Sequence, residues 1–544
     1  MDGTTPSPID PAPPRAGRRA WTGLAVLFLP TLLIAMDLTV LHLAVPSLTA
    51  DLNPSSAQLL WILDIYGFLI AGWLITMGAV GDRIGRRRLL LIGGAAFGAV
   101  SVLAAFSPTA ELLILSRALL GIAGATLMPS TLSLIRQLFP DPAQRTVAIG
   151  VWMTGFTAGG ALGPLVGGAL LEHFWWGSVF LLGVPVMLVL LVLGPRFLPE
   201  YREPGAGRTD LVSVALSLAT VLPTVYGVKR LAEHGPDAAA LAALAGGALV
   251  GTVFVRRQRT LRQPLLDLGL FKNRTFSLAM STQAFAIFAM AGTQLFVGQY
   301  LQLVVGLSPL RAGLWTLPST VFGIAGSMLA PLLVRRVRPA AVMAAALLVS
   351  TAAFVTLSLV SPGGPGDGLP LVVTGFVLLS FGLGPAMTLT TDLIISSSPP
   401  ERAGSASALS ETGSEFGLAM GIAVIGSVGT VVYRSEVADT IPGAVPDEAA
   451  RAARDTLGGA VRAAESLPDL LADDLLTAAR AAFTEGLHTT AALSGAVTTA
   501  LAVLVWTRLR RLPASRPPAD PVAGSGGRKA AATKDDDERL TARQ

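Results

Sequence analysis

The chain has 544 residues, 52% hydrophobic and 14% charged, with a formal net charge of +5 and no cysteine. A soluble protein carries about 25% charged residues, so the composition excludes an ordinary soluble enzyme and points to an integral membrane protein. The absence of cysteine removes disulfide and thiol chemistry, and the positive charge is no nucleic-acid signal because the basic residues fall at the ends of apolar runs.

Residues 1–20 are polar and Pro-rich, with Arg15, Arg18 and Arg19 just before the first apolar run. That run shows no Ala-x-Ala cleavage site and reads as an uncleaved first span. A span needs about 20 mostly apolar residues. The sequence predicts fourteen, beginning near 22, 58, 88, 112, 146, 177, 210, 238, 276, 311, 339, 370, 404 and 487. With the N-terminus inside, the short inner loops hold Arg83, Arg86, Arg87, Arg88, Arg136, Arg145, Arg196, Arg202, Arg208, Arg256, Arg257, Arg259, Arg262, Lys272, Arg274, Arg335, Arg336, Arg338 and Arg402, nineteen in all. The short outer loops hold Lys229, Arg230 and Arg311. This asymmetry orients the chain with both termini cytoplasmic. The expected organisation is a cytoplasmic tail over 1–20, a six-span half over 21–200, an inserted pair of spans over 201–260, and a second six-span half over 261–510. A cytoplasmic tail of disordered composition follows over 511–544.

Span 1 carries Asp37 and span 2 carries Asp64, each inside an apolar stretch. An ionised side chain in hydrocarbon costs about 3 kcal/mol on insertion scales and more in simulations, so such groups mark proton or cation handling. Both carboxylates lie roughly 10 Å from the outer membrane face at 1.5 Å per residue. Arg117 on span 4 lies slightly nearer that face, which predicts a buried Asp37–Arg117 interaction in which the arginine tunes protonation. His42, near the mouth of span 1, is read as a hydrogen-bonded structural histidine, with pH sensing as the alternative.

The connection between spans 2 and 3 reads Gly78-Ala79-Val80-Gly81-Asp82-Arg83-Ile84-Gly85-Arg86-Arg87-Arg88. Its glycines permit a tight turn and close backbone approach, and Asp82 is placed where a neighbouring helix N-terminus or an arginine would hold it. A cluster of this kind can latch one domain face and release it. In span 5, Gly159, Gly163 and Gly167 recur at i, i+4 and i+8, so the backbone can press on another helix, while Pro164 removes a helix hydrogen bond and bends the span. Packing plus a bend suits a seal between the two halves; a packing face alone is the alternative.

Span 13 carries Glu411 and Glu415, four apart and hence on one face. They are expected to bind protons or cations, with helix packing as the alternative. Asp392, near the inner end of span 12, is read as interfacial. Residues 434–486 form a long outer loop in which two short amphipathic helices are expected, one from Pro446 and one from Pro468 to about Glu485. They are read as a brace on the outer face, with a gate as the alternative. Trp61, Tyr66, Trp152, Phe156 and Phe288 are the aromatic candidates for stacking on flat or cationic ligands. The chain lacks a Walker motif, a Ser-His-Asp arrangement and metal-ligand spacing, so no enzymatic activity and no cofactor or metal are expected.

The loop at 78–88 resembles the G-x-L-x-D-R-x-G-R-[RK] motif of the major facilitator superfamily. Leu115-Ser116-Arg117-Ala118-Leu119-Leu120-Gly121 resembles that family's R-x-x-x-G motif. Residues Gly159 to Gly168 match the G-x-x-x-G-P-x-x-G-G pattern of its antiporters, and Asp37 to Pro46 resemble the D-x-T-[VI]-V-N-[VI]-A-L-P motif of its drug:proton antiporters. Fourteen spans select the quaternary-ammonium and multidrug efflux branch. The resemblance runs from about 21 to 510. It implies an all-α major facilitator fold of two six-helix halves plus an inserted helix pair, and a proton-coupled antiporter of the inner (plasma) membrane that exports lipophilic or cationic drugs by alternating access. Its partners are then protons, such drugs and the lipid bilayer, with no nucleic acid, and it is expected to act as a monomer. A dedicated exporter of one antibiotic or metabolite, conferring self-resistance, is the alternative.

The implied roles are proton coupling at Asp37, Asp64, Arg117, Glu411 and Glu415. Substrate binding falls to Asp64, Trp61, Tyr66, Trp152, Phe156, Phe288 and Glu411. Gating falls to Gly78, Asp82, Arg83, Gly85, Arg86, Gly159, Gly163, Pro164 and Gly167. Two departures stand out. Ala330 to Arg338, the second-half counterpart of the loop motif, has Val334 at the acidic place, so the inner latch is expected to be one-sided. Span 10 contains no acidic residue, which weighs against efficient handling of divalent cations.

Overall fold

In lipid each backbone polar group must be satisfied within its own segment, so apolar runs of this length become helices. A computed structural model describes residues 15–54, 56–200, 210–234, 237–261, 264–307, 309–361, 368–399 and 402–510, so the two tails lie largely outside the described residues. Fourteen helices are long and apolar enough to cross a membrane. The N-terminal half comprises α1 (Arg18–Leu52), α2 (Ser56–Ile84), α3 (Arg86–Ala105), α4 (Ala110–Leu138), α5 (Pro142–His173), α6 (Ser178–Leu181) and α7 (Gly183–Phe197), the last two making one span. The inserted pair is α8 (Leu211–His234) and α9 (Ala238–Thr260). The C-terminal half comprises α10 (Arg274–Gln299), α11 (Pro309–Leu333), α12 (Pro339–Leu357), α13 (Leu369–Ser396), α14 (Ala403–Gly421), α15 (Ser427–Thr440), α16 (Asp447–Asp455), α17 (Leu457–Ala464) and α18 (Asp469–Leu509).

Local signals set several helix starts. Thr109 accepts from the Leu112 N–H at 3.3 Å, Asp141 from Gln144 N–H at 3.0 Å with Pro142 at the first helical position, and Asn273 from Thr275 N–H at 3.0 Å. The inserted pair is pinned at its basic end. Asp210 accepts from Ser213 at 2.7 Å and from Arg257 at 2.8 Å, and these two partners hold its carboxyl below the usual range. α8 packs on α9, α2 and the C-terminal half at once, with Leu218 and Leu222 against Gly72 of α2.

The arginine-rich connections gather at one end of the molecule, here called the basic end. There Arg87 donates to the Leu198 carbonyl (3.1 Å), Arg19 to the Arg196 carbonyl (2.6 Å), Asn273 to the Ser397 carbonyl (3.2 Å) and Arg338 to the Arg510 carbonyl (3.3 Å).

The outer segment departs from expectation. One short helix after Pro446 is present as α16, followed by α17, but the segment after Pro468 is no separate helix. It is the start of α18, which runs unbroken for 41 residues. At 1.5 Å per residue that is roughly 60 Å, about twice the hydrocarbon thickness, so its first turns stand beyond the membrane. The stretch Ala403–Thr440, joined through a π-turn at Ile422–Gly426, is long for the same reason. These extensions and α16–α17 form a helical cap on the C-terminal half. The Tyr433 hydroxyl donates to the Ala453 carbonyl (2.5 Å), Phe483 stacks on Phe296 (4.9 Å), and Arg480 donates to the Leu303 carbonyl (3.1 Å).

Candidate functional site

Between the halves lies a cavity of about 1110 Å³, lined from α1, α4, α5, α10, α11, α13 and α14. It runs from Gly168, Leu301 and Gly313 near the end away from the arginines to Trp152, Met387 and Thr391 deeper in. Most of the wall is apolar, with four methionines (Met128, Met153, Met290, Met387) and the aromatic rings of Trp152, Phe156 and Phe376. Hydroxyls and amides supply the polar spots, among them Thr39, Gln283, Gln294, Ser319 and Ser380. Among the described residues, Glu411 and Glu415 are the ionisable side chains on the wall, and no lysine or arginine lines it.

α14 presents those carboxylates because its neighbouring face is tied to α10. The Ser410 hydroxyl donates to the Gln283 Oε1 at 3.0 Å, and Gln283 Nε2 donates to Ser414 Oγ at 2.8 Å. Glu411 and Glu415, one turn apart, flank that bridge and face the cavity. Trp152 is anchored by its indole N–H to Thr131 Oγ1 (3.2 Å) and meets Phe156 edge-on at 4.9 Å.

Of the aromatic candidates, Trp152 and Phe156 line the cavity, whereas Trp61, Tyr66 and Phe288 do not. Trp61 is 45% exposed on the outer surface of α2 against Phe68. Phe288 faces Phe285, which is itself exposed, and packs its backbone against Gly421. Tyr66 is fully buried inside the N-terminal half. The methionines and Gln283 escaped sequence reading. A face-by-face periodicity of Gln283, Ile287, Met290, Gln294 and Val297 along α10 was the available signal.

The N-terminal half holds a second constellation. Arg117 Nη1 donates to Asp37 Oδ2 at 2.8 Å and its Nε donates to the Ile62 carbonyl at 3.1 Å. The guanidinium sits 4.4 Å from the Tyr66 ring centroid and 5.9 Å from that of Phe180. Arg117 is 2% exposed, a burial tolerated because the charge is paired, hydrogen-bonded and stacked. Asp37 adjoins a separate small cavity of about 10 Å³ lined by Phe97, Val179, Phe180 and Gly183, room for about one water. Asp64 lies on α2 two residues before Tyr66; its side chain, like those of His42 and Pro164, lies outside the described residues.

Contacts across the halves close the basic end. Asp82 is ion-paired with Arg86 and accepts from the Ser405 hydroxyl of α14 at 3.0 Å. Both Asp82 and Arg86 are buried. A Cβ at Gly78 would lie 2.9 Å from the Gly404 carbonyl, so only glycine lets α2 approach α14 this closely. Gly85 has φ +107°, which favours glycine, and Glu200 occupies the space a side chain would need. Arg83 is half-buried beside this cluster.

The closure is not one-sided, contrary to expectation. Asp392 of α13 accepts from Arg145 Nε (2.9 Å) and from the Thr146 hydroxyl (2.7 Å) at the start of α5, and Arg136 donates to the Ile395 carbonyl. The second bridge uses the end of α13 rather than the loop at 330–338, which is why the missing acid at Val334 misled.

The span 5 glycines also sit differently. Gly159, Gly163 and Gly167 press on α1 of their own half, where added Cβ atoms would meet Ala35 (2.7 Å), the Met36 carbonyl (3.1 Å) and Val40 (2.9 Å). The interdigitated face is therefore internal to one half, while Gly160 and Gly168 face the cavity. Gly163→Leu is expected to overpack the α1–α5 contact, costing about 1–3 kcal/mol and lowering the melting temperature in detergent. Gly160→Ala, with nothing within 4 Å, is expected to melt as the parent does.

The Major Facilitator Superfamily profile matches residues 27–422. The chain is 46% identical over 501 residues to the multidrug efflux pump LfrA of Mycolicibacterium smegmatis, covering 92% of this chain and 98% of that one. It is 35% identical over 501 residues to the methyl viologen resistance protein SmvA of Salmonella typhimurium, covering 91% and 99%. Among solved structures, the human organic anion transporter MFSD10 shares the fold with a TM-score of 0.54 at 16% identity, over 88% of this chain and 99% of that one.

Proposed function

The chain belongs to the major facilitator superfamily of transporters, and on that premise we propose that it is a proton-coupled multidrug efflux antiporter for lipophilic cations. The observation that carries the reading is the cavity wall: among its described residues, two carboxylates, no basic group, and a lining of methionine and aromatic rings. Such a wall attracts cationic, flat and apolar molecules and adapts to several shapes. The basic end is the cytoplasmic one by the positive-inside rule, with both termini there and the protein in the inner (plasma) membrane. The cavity then faces outward, poised for release. Asp37 with Arg117, together with Asp64, Glu411 and Glu415, takes up the protons, and the protein works as a monomer.

A proton entering down about 150 mV releases roughly 3.5 kcal/mol. One proton exchanged for one monovalent cation moves no net charge, so the membrane potential helps only when two or more protons enter per drug. The number of acids within the spans favours the higher ratio.

The test is ethidium and methyl viologen efflux from energised cells, with and without an uncoupler, for the parent, Asp37→Asn and Asp64→Asn. Uncoupler-sensitive efflux that both variants lose is expected. Efflux by the parent that persists with the uncoupler would refute proton coupling. Rejection of these and other cationic dyes, with export of a single antibiotic, would establish the dedicated exporter instead.

A further inference from the structure

Glu411 stands among hydroxyls that do not serve it. Ser407, Ser410, Thr412 and Ser414 lie within about one turn of it on α14. Each donates its proton elsewhere: Ser407 to the Ala403 carbonyl (2.8 Å), Thr412 to the Ala408 carbonyl (2.8 Å), Ser414 to the Ser410 carbonyl (3.0 Å) and Ser410 to Gln283 Oε1 (3.0 Å). Among the described residues Glu411 accepts no hydrogen bond. A carboxylate inside a span is costly to leave without donors. A hydroxyl bond to a carboxylate is also roughly twice as strong as one to a neutral acceptor. Ser414, three residues on and hence on the same face, is the natural donor, and something must hold it away.

Gln283 of α10 does so. Its Nε2 donates to Ser414 Oγ at 2.8 Å, which turns that oxygen toward α10 and leaves the Ser414 proton to its own helix. Its Oε1 takes the Ser410 proton. Gln283 and Ser410 are both buried. Helix packing does not require this amide. Gly417 and Gly421 rest directly on the Ala284 and Phe288 carbonyls of α10, and apolar groups of the same shape in place of a buried hydrogen-bonded set are nearly neutral for stability.

We propose that Gln283 is a positioning residue for cation binding: by clamping Ser410 and Ser414 it withholds their hydroxyls from Glu411 and leaves that carboxylate to the substrate. No covalent step is involved. A bound cation supplies what the hydroxyls do not. Without the clamp Ser414 rotates onto Glu411, and a cation has to displace it. A neutral ligand gains nothing from the clamp, so Gln283 sets the preference of the cavity for charged over neutral lipophilic compounds.

The proposal rests on the reading of the wall as a cation site. The experiment is equilibrium binding of ethidium, and of the neutral dye Nile red, to the purified protein in nanodiscs. The variants are Gln283→Met, Gln283→Met with Ser414→Ala, and Glu411→Gln, beside the parent and with the melting temperature of each. Methionine keeps the length of glutamine and loses both hydrogen bonds. Gln283→Met is expected to bind ethidium about three- to tenfold more weakly, the weight of one net hydrogen bond, and Nile red within about twofold of the parent. It is expected to melt as the parent does. Adding Ser414→Ala removes the released hydroxyl and is expected to restore ethidium binding to within about twofold. Where Gln283→Met fails to fold, Gln283→Leu is read in the same way. A purely structural amide gives another pattern: both dyes weaken together, or the second substitution brings no rescue. Either result would overturn the clamp, while weakened ethidium binding in Glu411→Gln keeps the cation site. Parental ethidium binding in Glu411→Gln would overturn both.

Discussion

Replacing Glu411 by glutamine is expected to weaken export of permanently charged cations by about 10- to 100-fold, while neutral lipophilic substrates stay within about twofold. The substitution keeps the side chain's size and removes its charge. Among the described residues of the cavity wall there is no lysine or arginine, so a bound cation meets the Glu411 carboxylate without a competing basic side chain of the lining. Two unit charges about 6 Å apart at an effective dielectric constant of about 20 attract by roughly 2–3 kcal/mol. Glu415, one turn further along α14, shares that load, which keeps the single variant short of complete loss. The double variant Glu411→Gln with Glu415→Gln is expected to lose cation export altogether. Efflux of ethidium and of a neutral dye, each followed as initial rate against concentration, separates the effects. Equal losses for both dyes would mean that Glu411 serves the proton cycle and not the drug's charge.

The fourteen spans were legible because a membrane imposes one length and one composition on each crossing, and each predicted span overlaps an observed apolar helix. The meeting of Asp37 and Arg117 was legible too, since depth along a helix follows from counting residues. Depth, however, says nothing of which side of the helix a residue occupies. Trp61 and Phe288 have suitable depth but turn away from the cavity, and Tyr66 turns into the N-terminal half. Rotation about the helix axis is set by neighbours that are far apart in sequence, and in an apolar span nearly every position is hydrophobic, so periodicity fades. The same blindness hid the Arg145–Asp392 bridge, whose members lie 247 residues apart. Long helices misled in another way. The Pro468 start signal was read correctly, but nothing in the sequence stops the helix at Glu485, because Gly486 is tolerated within α18 beside Gly429.

Breaking the closure at the basic end is expected to turn the transporter toward its inward-open state, and the structure indicates that two bridges must fail. Asp82→Asn leaves the Arg86 guanidinium buried against α14 without its anion. Removing one partner of a buried pair costs about 3–5 kcal/mol, and here the cost falls on the closed state alone, because opening exposes Arg86 to water. Asp392→Asn loosens Arg145 and Thr146 in the same sense but less, since that pair is partly exposed. Moving a population from 1:99 to 99:1 takes about 5.5 kcal/mol. Asp82→Asn alone is therefore expected to populate both states, and the double variant to lie mainly inward-open. The chain has no native cysteine, so a single Met387→Cys on the deep wall of the cavity reports directly. Its labelling by an impermeant maleimide added at the basic end, in inside-out vesicles, is expected to rise severalfold in Asp82→Asn and further in the double variant, while labelling from the other side falls. Drug export should drop in step, because a transporter held in one state does not cycle. Unchanged labelling in the double variant would show that the glycine contact of Gly78 with Gly404 and the packing of α5 on α11 hold the basic end shut without the charges.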